Sequence, residues 1–220
     1  FSTNNTIAQG GGVLEEVVVT AQKREETLQE VPLSISVFSG KSLEQDSISN
    51  LQDIGSQTPG LVFAAFSVGQ PEISIRGISS KEDGASANDS TVVSVDGVYI
   101  AARTAQVFDI FDLERVEIVR GPQATLYGKN SIGGSINFVT LKPSQEKIAR
   151  IQQSAGNFER FDTGILLSGP LSENLAAKIS FSRRDHGGWL KNLTTGTEQG
   201  GIETYAWRTQ AVWTPSSDLE

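Results

Sequence analysis

The chain has 220 residues, and its 18 basic and 26 acidic side chains give a formal net charge of −8 at pH 7. This length can bury the core of one large domain or two small ones. The negative charge opposes binding through phosphate neutralisation, so we expect no nucleic-acid partner. With no Cys and a single His, the chain lacks the ligands for a thiolate or imidazole-rich metal site, and it lacks disulfides and Cys nucleophiles.

The sequence contains no Met, which indicates that it begins inside a longer gene product. Its apolar runs are far shorter than the ~20 residues that a transmembrane helix needs. Membrane strands require only about 9–11 residues of alternating character, so a strand-based membrane protein stays open.

The first thirty residues are predicted to form a flexible N-terminal segment. Residues 1–12 end in three glycines, as flexible leaders do. The β-branched run at residues 13–21 predicts a strand, although the following residues 22–30 are strongly polar. Because a lone strand exposes unpaired backbone groups, this segment must join a sheet or bind a partner.

Residues 31–143 mix signals for short strands and short helices. Residues 33–37 alternate with period two, and the apolar spacing in residues 42–54 indicates one or two helices. The dipeptide Asp96-Gly97 predicts a two-residue hairpin turn. This region is therefore predicted to be an α+β domain with a small mixed sheet, mostly antiparallel, and residues 79–90 are predicted to be an exposed loop. The further predicted strands are residues 72–76, 91–95, 98–100, 115–120 and 135–140.

After Pro143 the pattern changes to longer alternating strands. We predict strands at residues 148–155, 161–168, 176–184 and 203–213, with short turns at one end and a long loop, residues 186–201, at the other. This is the pattern of an outer-membrane β-barrel, and a soluble antiparallel sheet is the alternative. Aromatic side chains collect at membrane interfaces and favour the membrane interpretation; they are Trp189, Tyr205, Trp207 and Trp213.

Residues 113–140, LERVEIVRGPQATLYGKNSIGGSINFVT, carry Arg-Gly-Pro, Leu-Tyr-Gly, Gly-Gly and Ile-Asn in a fixed spacing. This stretch closely resembles the plug domain of the TonB-dependent outer-membrane receptors. The part after residue 143 looks like the first four strands of the family's barrel, which has about 22 strands. The resemblance implies a flexible segment at 1–30, a plug at 31–143, and an incomplete transmembrane barrel at 144–220, which makes the chain a truncated receptor.

The resemblance also assigns a TonB box, the peptide that pairs as a strand with the C-terminal domain of periplasmic TonB. Main-chain hydrogen bonds supply the affinity in such β-augmentation. The alternative is an ordinary edge strand of the plug. The TonB-binding residues implied are Glu16, Val17, Val18, Val19, Thr20 and Ala21.

Two further sets of residues follow from the resemblance. Arg76 and Arg120 resemble plug arginines that lock the plug to barrel carboxylates, which would lie beyond Glu220; exposed arginines at strand ends are the alternative.

The plug's outward loops suggest ligand contact, with a solvated loop equally open. The glycines after Arg120 do not match a phosphate-binding P-loop, and they are expected where the backbone turns sharply or approaches the barrel wall. The candidate ligand-contact residues are Ser79, Ser80, Tyr99 and Arg103.

The sequence carries no set of side chains suited to catalysis. Asp96 and Asp112 are interpreted as turn and strand-boundary residues, and His186 as a loop residue. We therefore expect no enzyme activity, no cofactor and no metal site.

The function implied by the resemblance is energy-coupled uptake of a scarce ligand, such as a ferric siderophore, across the outer membrane of a Gram-negative bacterium. The plug would face the periplasm, and the partners would be TonB, outer-membrane lipid and the small-molecule ligand. Another metal chelate, a cobalamin-like cofactor or a glycan also fits the sequence. The alternative function is a soluble periplasmic module that binds TonB and transports nothing.

Overall fold

The structure is a computed structural model that describes residues 18–20, 26–29, 31–46, 48, 51–67, 70–80, 89–106 and 111–215. It confirms an α+β domain followed by a sheet of long antiparallel strands. The α+β domain contains, in chain order, β1 (Val18–Val19), β2 (Glu26–Thr27), β3 (Ile35–Ser39), α1 (Gly40–Gln45), α2 (Leu51–Gln57), β4 (Leu61–Ser67), β5 (Gln70–Ile75), β6 (Thr91–Val95), β7 (Val98–Tyr99), a 3-10 turn (Arg103–Gln106), β8 (Leu113–Arg120), α3 (Ala124–Tyr127) and β9 (Gly134–Thr140).

The centre of this domain is a five-stranded sheet in the order β3-β8-β9-β6-β7. All neighbouring strands are antiparallel except β6 and β9, which run parallel. Alternate side chains of β8 point to opposite faces. Val116 and Ile118 lie on the core face, where the ladder puts them opposite Phe138 and Ile136. The buried core comprises Leu43, Ile48, Leu51, Ile54, Leu61, Ile73, Ile75, Val93, Leu113, Val116, Ile118, Ile136 and Phe138.

The predicted hairpin at Asp96-Gly97 is confirmed. It connects β6 to β7, and both residues have positive φ, 49° and 80°. These angles are those of a type I′ turn, which matches the twist of the flanking strands. Residues 61–67 differ from the prediction: their apolar run forms the strand β4, which pairs with β5.

The C-terminal part is a four-stranded antiparallel sheet, which we call the wall, in the order β10-β11-β12-β15. The predicted alternation is confirmed, although the strands are longer than predicted, and His186 ends β12 opposite Ile202 instead of lying in the loop. That loop contains a short two-stranded ladder. The strands are β10 (Ile148–Gly156), β11 (Arg160–Ser172), β12 (Leu175–His186), β13 (Leu190–Lys191), β14 (Glu198–Gln199) and β15 (Ile202–Trp213).

The two faces of the wall differ in polarity. On the outer face, Ile151, Ile165, Phe181 and Trp207 are directly opposite one another across all four strands, and all are exposed. On the inner face, which is turned toward the α+β domain, β12 buries the polar side chains of Lys178, Ser180 and Ser182 together with the small Ala176. An apolar row turned outward and polar groups turned inward are typical of a strand-built membrane wall.

No helix within the described ranges is long and apolar enough to cross a lipid bilayer.

Gly134, the second glycine of the Gly-Gly pair, is required by the closeness of two strands of the sheet. Its φ is +149°, and a Cβ there would lie 2.1 Å from the carbonyl oxygen of Val119 on β8. The close approach is therefore to a strand of the same domain and not to the wall.

We expect Gly134→Ala to reduce the free energy of unfolding by about 1–3 kcal/mol, because β8 and β9 must move apart. The measurement is denaturant unfolding of the chain in detergent. Gly97→Ala is the matched control: its φ is also positive, but nothing lies within 4 Å of the added Cβ. An equal effect of both substitutions would refute the close-approach explanation.

Candidate functional site

A buried cluster of charges joins the α+β domain to the wall. Asp112 directly precedes β8, and its carboxylate accepts hydrogen bonds from Lys178 Nζ at 3.0 Å and from Ser180 Oγ at 2.9 Å. Arg208 Nη1 forms an ion pair with the other carboxylate oxygen of Asp112. The side chains of Asp112 and Lys178 are 5% and 0% exposed, so this contact is shielded from water.

The strand register explains why these wall residues converge. Lys178 lies opposite Gln210, and Ser180 lies opposite Arg208, so β12 and β15 present a two-by-two polar patch on the inner face. Asp112 contacts three of the four members of this patch. The fourth member, Gln210, donates to Asp96.

Asp96 forms the second polar contact between the α+β domain and the wall. Its carboxylate accepts hydrogen bonds from Thr140 N and Thr140 Oγ1, each at 2.8 Å, and from Gln210 Nε2 at 3.1 Å. The turn that begins with Asp96 is thereby tied to the end of β9 and to β15.

The charge state of Asp112 follows from its neighbours. Burial by itself would raise the pKa of this carboxyl, but the positive charges of Arg208 and Lys178 outweigh it and hold the pKa below its ordinary value. Asp112 is therefore ionised at neutral pH. Removing one partner from such a group leaves an uncompensated buried charge, which is strongly unfavourable.

Two other contacts flank this cluster. Glu44 in α1 and Arg150 in β10 form an exposed ion pair at 2.6 Å. The Phe111 ring lies directly on Gly164 of β11, where an added Cβ would be 2.7 Å from the ring. Between them is a cavity of about 300 Å³ that is lined by α1, Phe111 and the inner face of β10–β12.

The predicted TonB box is described at Val18, Val19 and Thr20; Glu16, Val17 and Ala21 lie outside the described residues. Val18 and Val19 pair antiparallel with Thr27 and Glu26 of the same chain, and Val19 is fully buried. The described part of the predicted strand, Val18–Val19, is therefore a strand, and its pairing partner in this structure is β2.

The two predicted lock arginines lie together at the C-terminal end of β8. Arg76 Nη2 donates to Ser34 Oγ at 3.1 Å, and Arg120 Nη1 donates to the Pro59 carbonyl at 3.2 Å. Neither forms an ion pair within the described part of the chain, where Arg120 Nε also has no hydrogen-bond partner. Pairing of these guanidinium groups with barrel carboxylates therefore stays a prediction.

The four predicted ligand-contact residues fall into two groups. Arg103 Nε pairs with Asp89 at 2.6 Å, and Arg103 Nη2 donates to the Ser80 carbonyl at 3.2 Å, so Arg103 holds the half-buried start of the loop, Ser79 and Ser80, close to the loop's end. Tyr99 is separate and exposed, and its hydroxyl accepts from Asn130 at 3.3 Å. Residues 81–88 of the loop lie outside the described ranges.

The contacts of Asp96 and Asp112 with the wall were not predicted from the sequence, in which these carboxylates were interpreted only as turn and strand-boundary residues. The signal that could have found them is on the wall. Lys178, Arg208 and Gln210 occupy inward positions of alternating strands, and a cation facing a protein interior requires a counter-charge.

Known proteins are similar to this chain in sequence and in fold. The family model described as the TonB-dependent receptor plug domain matches residues 27–135. The vitamin B12 transporter BtuB of Vibrio vulnificus is 32% identical over 185 residues, covering 81% of this chain and 29% of the relative. The chain is a member of the TonB-dependent receptor family. Its α+β domain is accordingly the plug, as the sequence resemblance predicted.

Two further relatives support the assignment of the plug and the wall. The iron-regulated outer membrane virulence protein of Vibrio cholerae is 30% identical over 183 residues, covering 75% of this chain and 27% of the relative. The structure of the ferric yersiniabactin uptake receptor FyuA from Yersinia pestis superposes with a TM-score of 0.77 at 28% identity, covering 84% of this chain and 29% of that structure. The chain thus spans less than a third of the length of these relatives, which are receptors and transporters, including outer-membrane proteins.

We expect Asp112→Ala to lower the free energy of unfolding by about 3–5 kcal/mol, because Lys178, at the contact between the plug and the wall, is left buried without a counter-charge. Glu44→Ala removes an exposed ion pair from the same interface, and we expect it to cost less than about 1 kcal/mol. Denaturant unfolding of the chain in detergent measures both. Equal effects would show that burial of the charge is not what stabilises the contact.

The same carboxyl predicts how stability depends on pH. Because its pKa is lower in the folded than in the unfolded chain, its contribution is present above the unfolded pKa and lost as pH falls through the folded pKa. We expect the stability difference between the parent chain and Asp112→Asn to be level from pH 8 to about pH 5 and to shrink below about pH 4. A constant difference across denaturation curves at pH 3–8 would contradict this.

Proposed function

We propose that this chain is the plug and first wall strands of an energy-coupled importer in the outer membrane of a Gram-negative bacterium, with the plug facing the periplasm. The observation that carries the proposal is the closed contact between plug and wall, in which Asp112 is buried among Lys178, Ser180 and Arg208. A plug held by directional polar bonds can separate from its wall and return without exposing a large apolar surface.

In this proposal, residues 16–21 are the TonB box, and TonB pairs with them as an added strand. The described part of this segment supports the proposal because Val18 and Val19 already have strand geometry. β-Augmentation needs a backbone edge that can pair with the partner, and β2 occupies one edge of Val18–Val19, so TonB would either replace β2 or pair along the other edge. Pulling on this segment would then act on the plug, against which the segment lies.

For the transported ligand we propose a scarce metal chelate, such as a ferric siderophore or a cobalamin. The names of the relatives support this class, because they include a vitamin B12 transporter and a ferric yersiniabactin uptake receptor. We further propose that Ser79, Ser80, Tyr99 and Arg103 line the ligand-facing side of the plug. Arg76 and Arg120 would pair with carboxylates on the remaining part of the barrel.

We expect Val18→Pro to weaken binding of the isolated C-terminal domain of TonB at least tenfold, because proline removes a backbone donor and fixes φ. The measurement is calorimetric titration of the TonB domain into the detergent-solubilised chain. Val18→Ala keeps the backbone donor, and the exposed Val18 side chain makes it a suitable control. Unchanged affinity of Val18→Pro would remove the TonB-box assignment.

A further inference from the structure

The face of the plug sheet opposite the core carries a row of polar side chains. Ser94 on β6, Asn137 on β9 and Glu117 on β8 are directly opposite one another in the strand register. They are joined by hydrogen bonds, from Ser94 Oγ to Asn137 Oδ1 at 2.9 Å and from Asn137 Nδ2 to Glu117 Oε2 at 3.4 Å. All three side chains are buried, so something covers this face.

The described part of the N-terminal segment contacts this face. Thr20 donates its backbone N–H to Glu117 Oε1 at 2.8 Å and its hydroxyl to the same oxygen at 3.1 Å. Asn137 Nδ2 and Arg115 Nη2 also reach the Thr20 hydroxyl, at 3.3 and 3.5 Å. Thr20 is thereby bound at one point by three side chains of the sheet.

Glu117 is the centre of this arrangement. It is 0% exposed, and Arg115 Nε pairs with it at 2.8 Å, which supplies a counter-charge within the sheet. A buried carboxylate with a fixed cation and a fixed amide beside it still has acceptor capacity, and the Thr20 N–H fills it. Hydrogen bonds from a backbone N–H to a carboxylate are among the stronger ones in proteins.

We call the three side chains that contact Thr20 the seat; they are Arg115, Glu117 and Asn137. The seat is polar, and this affects how residues 18–20 can be released from the sheet. In the described part of the segment, the side chain of Val19 is fully buried, whereas that of Val18 is 41% exposed. When Thr20 departs, water can replace its donors at Glu117, and among the described residues of the segment Val19 is the fully buried apolar side chain that is uncovered. An apolar seat would instead expose hydrophobic area each time the segment was released.

We propose that Glu117 is a positioning residue that holds residues 18–20 on the plug sheet and thereby competes with TonB for the TonB box. The proposal rests on the TonB-box assignment above. While the Thr20 N–H is bound to Glu117 and one edge of Val18–Val19 is paired with β2, these backbone groups are unavailable to an added strand. The apparent affinity for a partner is lowered by the fraction of chains whose segment is released.

The test compares Glu117→Gln with Glu114→Gln in the 220-residue chain in detergent. The first substitution removes the charge of the seat and turns one acceptor oxygen into a donor that faces Asn137 or Arg115. The second is a matched control, since Glu114 is on the same strand and also pairs with Arg115, but it is exposed. Hydrogen exchange of the Thr20 amide, followed by mass spectrometry, reports the docked state without any partner.

We expect exchange of the Thr20 amide to become roughly 10-fold to 100-fold faster in Glu117→Gln and to stay unchanged in Glu114→Gln. The isolated TonB domain should bind Glu117→Gln more tightly, by up to the same factor. Unchanged exchange in Glu117→Gln would overturn the inference. Faster exchange without any binding of TonB by either chain would support the seat and refute the proposed TonB box.

A second variant covers failure of Glu117→Gln to fold, which loss of exchange protection in β8 and β9 would reveal. Thr20→Ala leaves the sheet intact and removes the hydroxyl that Glu117, Asn137 and Arg115 contact. We expect its amide at position 20 to exchange roughly 2-fold to 10-fold faster than in the parent chain, after correction for intrinsic rates. Unchanged protection of this amide would equally overturn the inference.

Discussion

The buried carboxylate of Asp112 fixes where the plug lies on the wall. It is enclosed by two cations and a hydroxyl from β12 and β15, and it directly precedes β8, the long strand of the plug sheet. The position of one end of β8 is therefore set by the wall. The register is irregular between Leu113 and Arg115, and from Arg115 onward the two-residue period of a strand sends successive side chains to opposite faces.

Along β8, this period separates the functions of the plug. Val116 and Ile118 enter the hydrophobic core, whereas Glu117, between them, points to the opposite face and binds Thr20. Arg120 ends the strand beside the Pro59 carbonyl, close to Arg76. One strand thus connects the contact with the wall, the seat of the N-terminal segment and the paired arginines. A displacement of the segment acts directly on the strand that Asp112 anchors.

At the Asp112 contact, the signs of the charges on the plug and on the wall are opposite to those that the family resemblance implied for Arg76 and Arg120. At the Asp112 end, the plug supplies carboxylates and the wall supplies Lys178 and Arg208. At the other end of β8, the plug carries Arg76 and Arg120, for which we propose carboxylate partners elsewhere in the barrel. The contact at Asp112 depends on directional, charged hydrogen bonds, and the proposed contacts of the arginines would depend on the same kind of bond. Their desolvation opposes their attraction, so they specify a position more than they add net stability.

The sequence by itself determined the class of fold and the order of its parts. Local patterns were sufficient for this, since alternation placed the wall strands and Asp96-Gly97 placed a hairpin whose geometry needs only two residues. Residues 113–140 indicated the plug through their resemblance to the TonB-dependent receptors, and Gly134, one of the residues that carry this resemblance, is required by a close approach of two strands. Only the tertiary structure decided which polar groups meet. Asp112 and Lys178 are 66 residues apart, and Thr20 and Glu117 are 97 apart, so their pairing depends on strand register and on the seating of the plug. Alternation indicates which wall side chains face inward, but no local pattern names the residue that pairs with them, because the partner is distant in the chain and is brought close only by the fold.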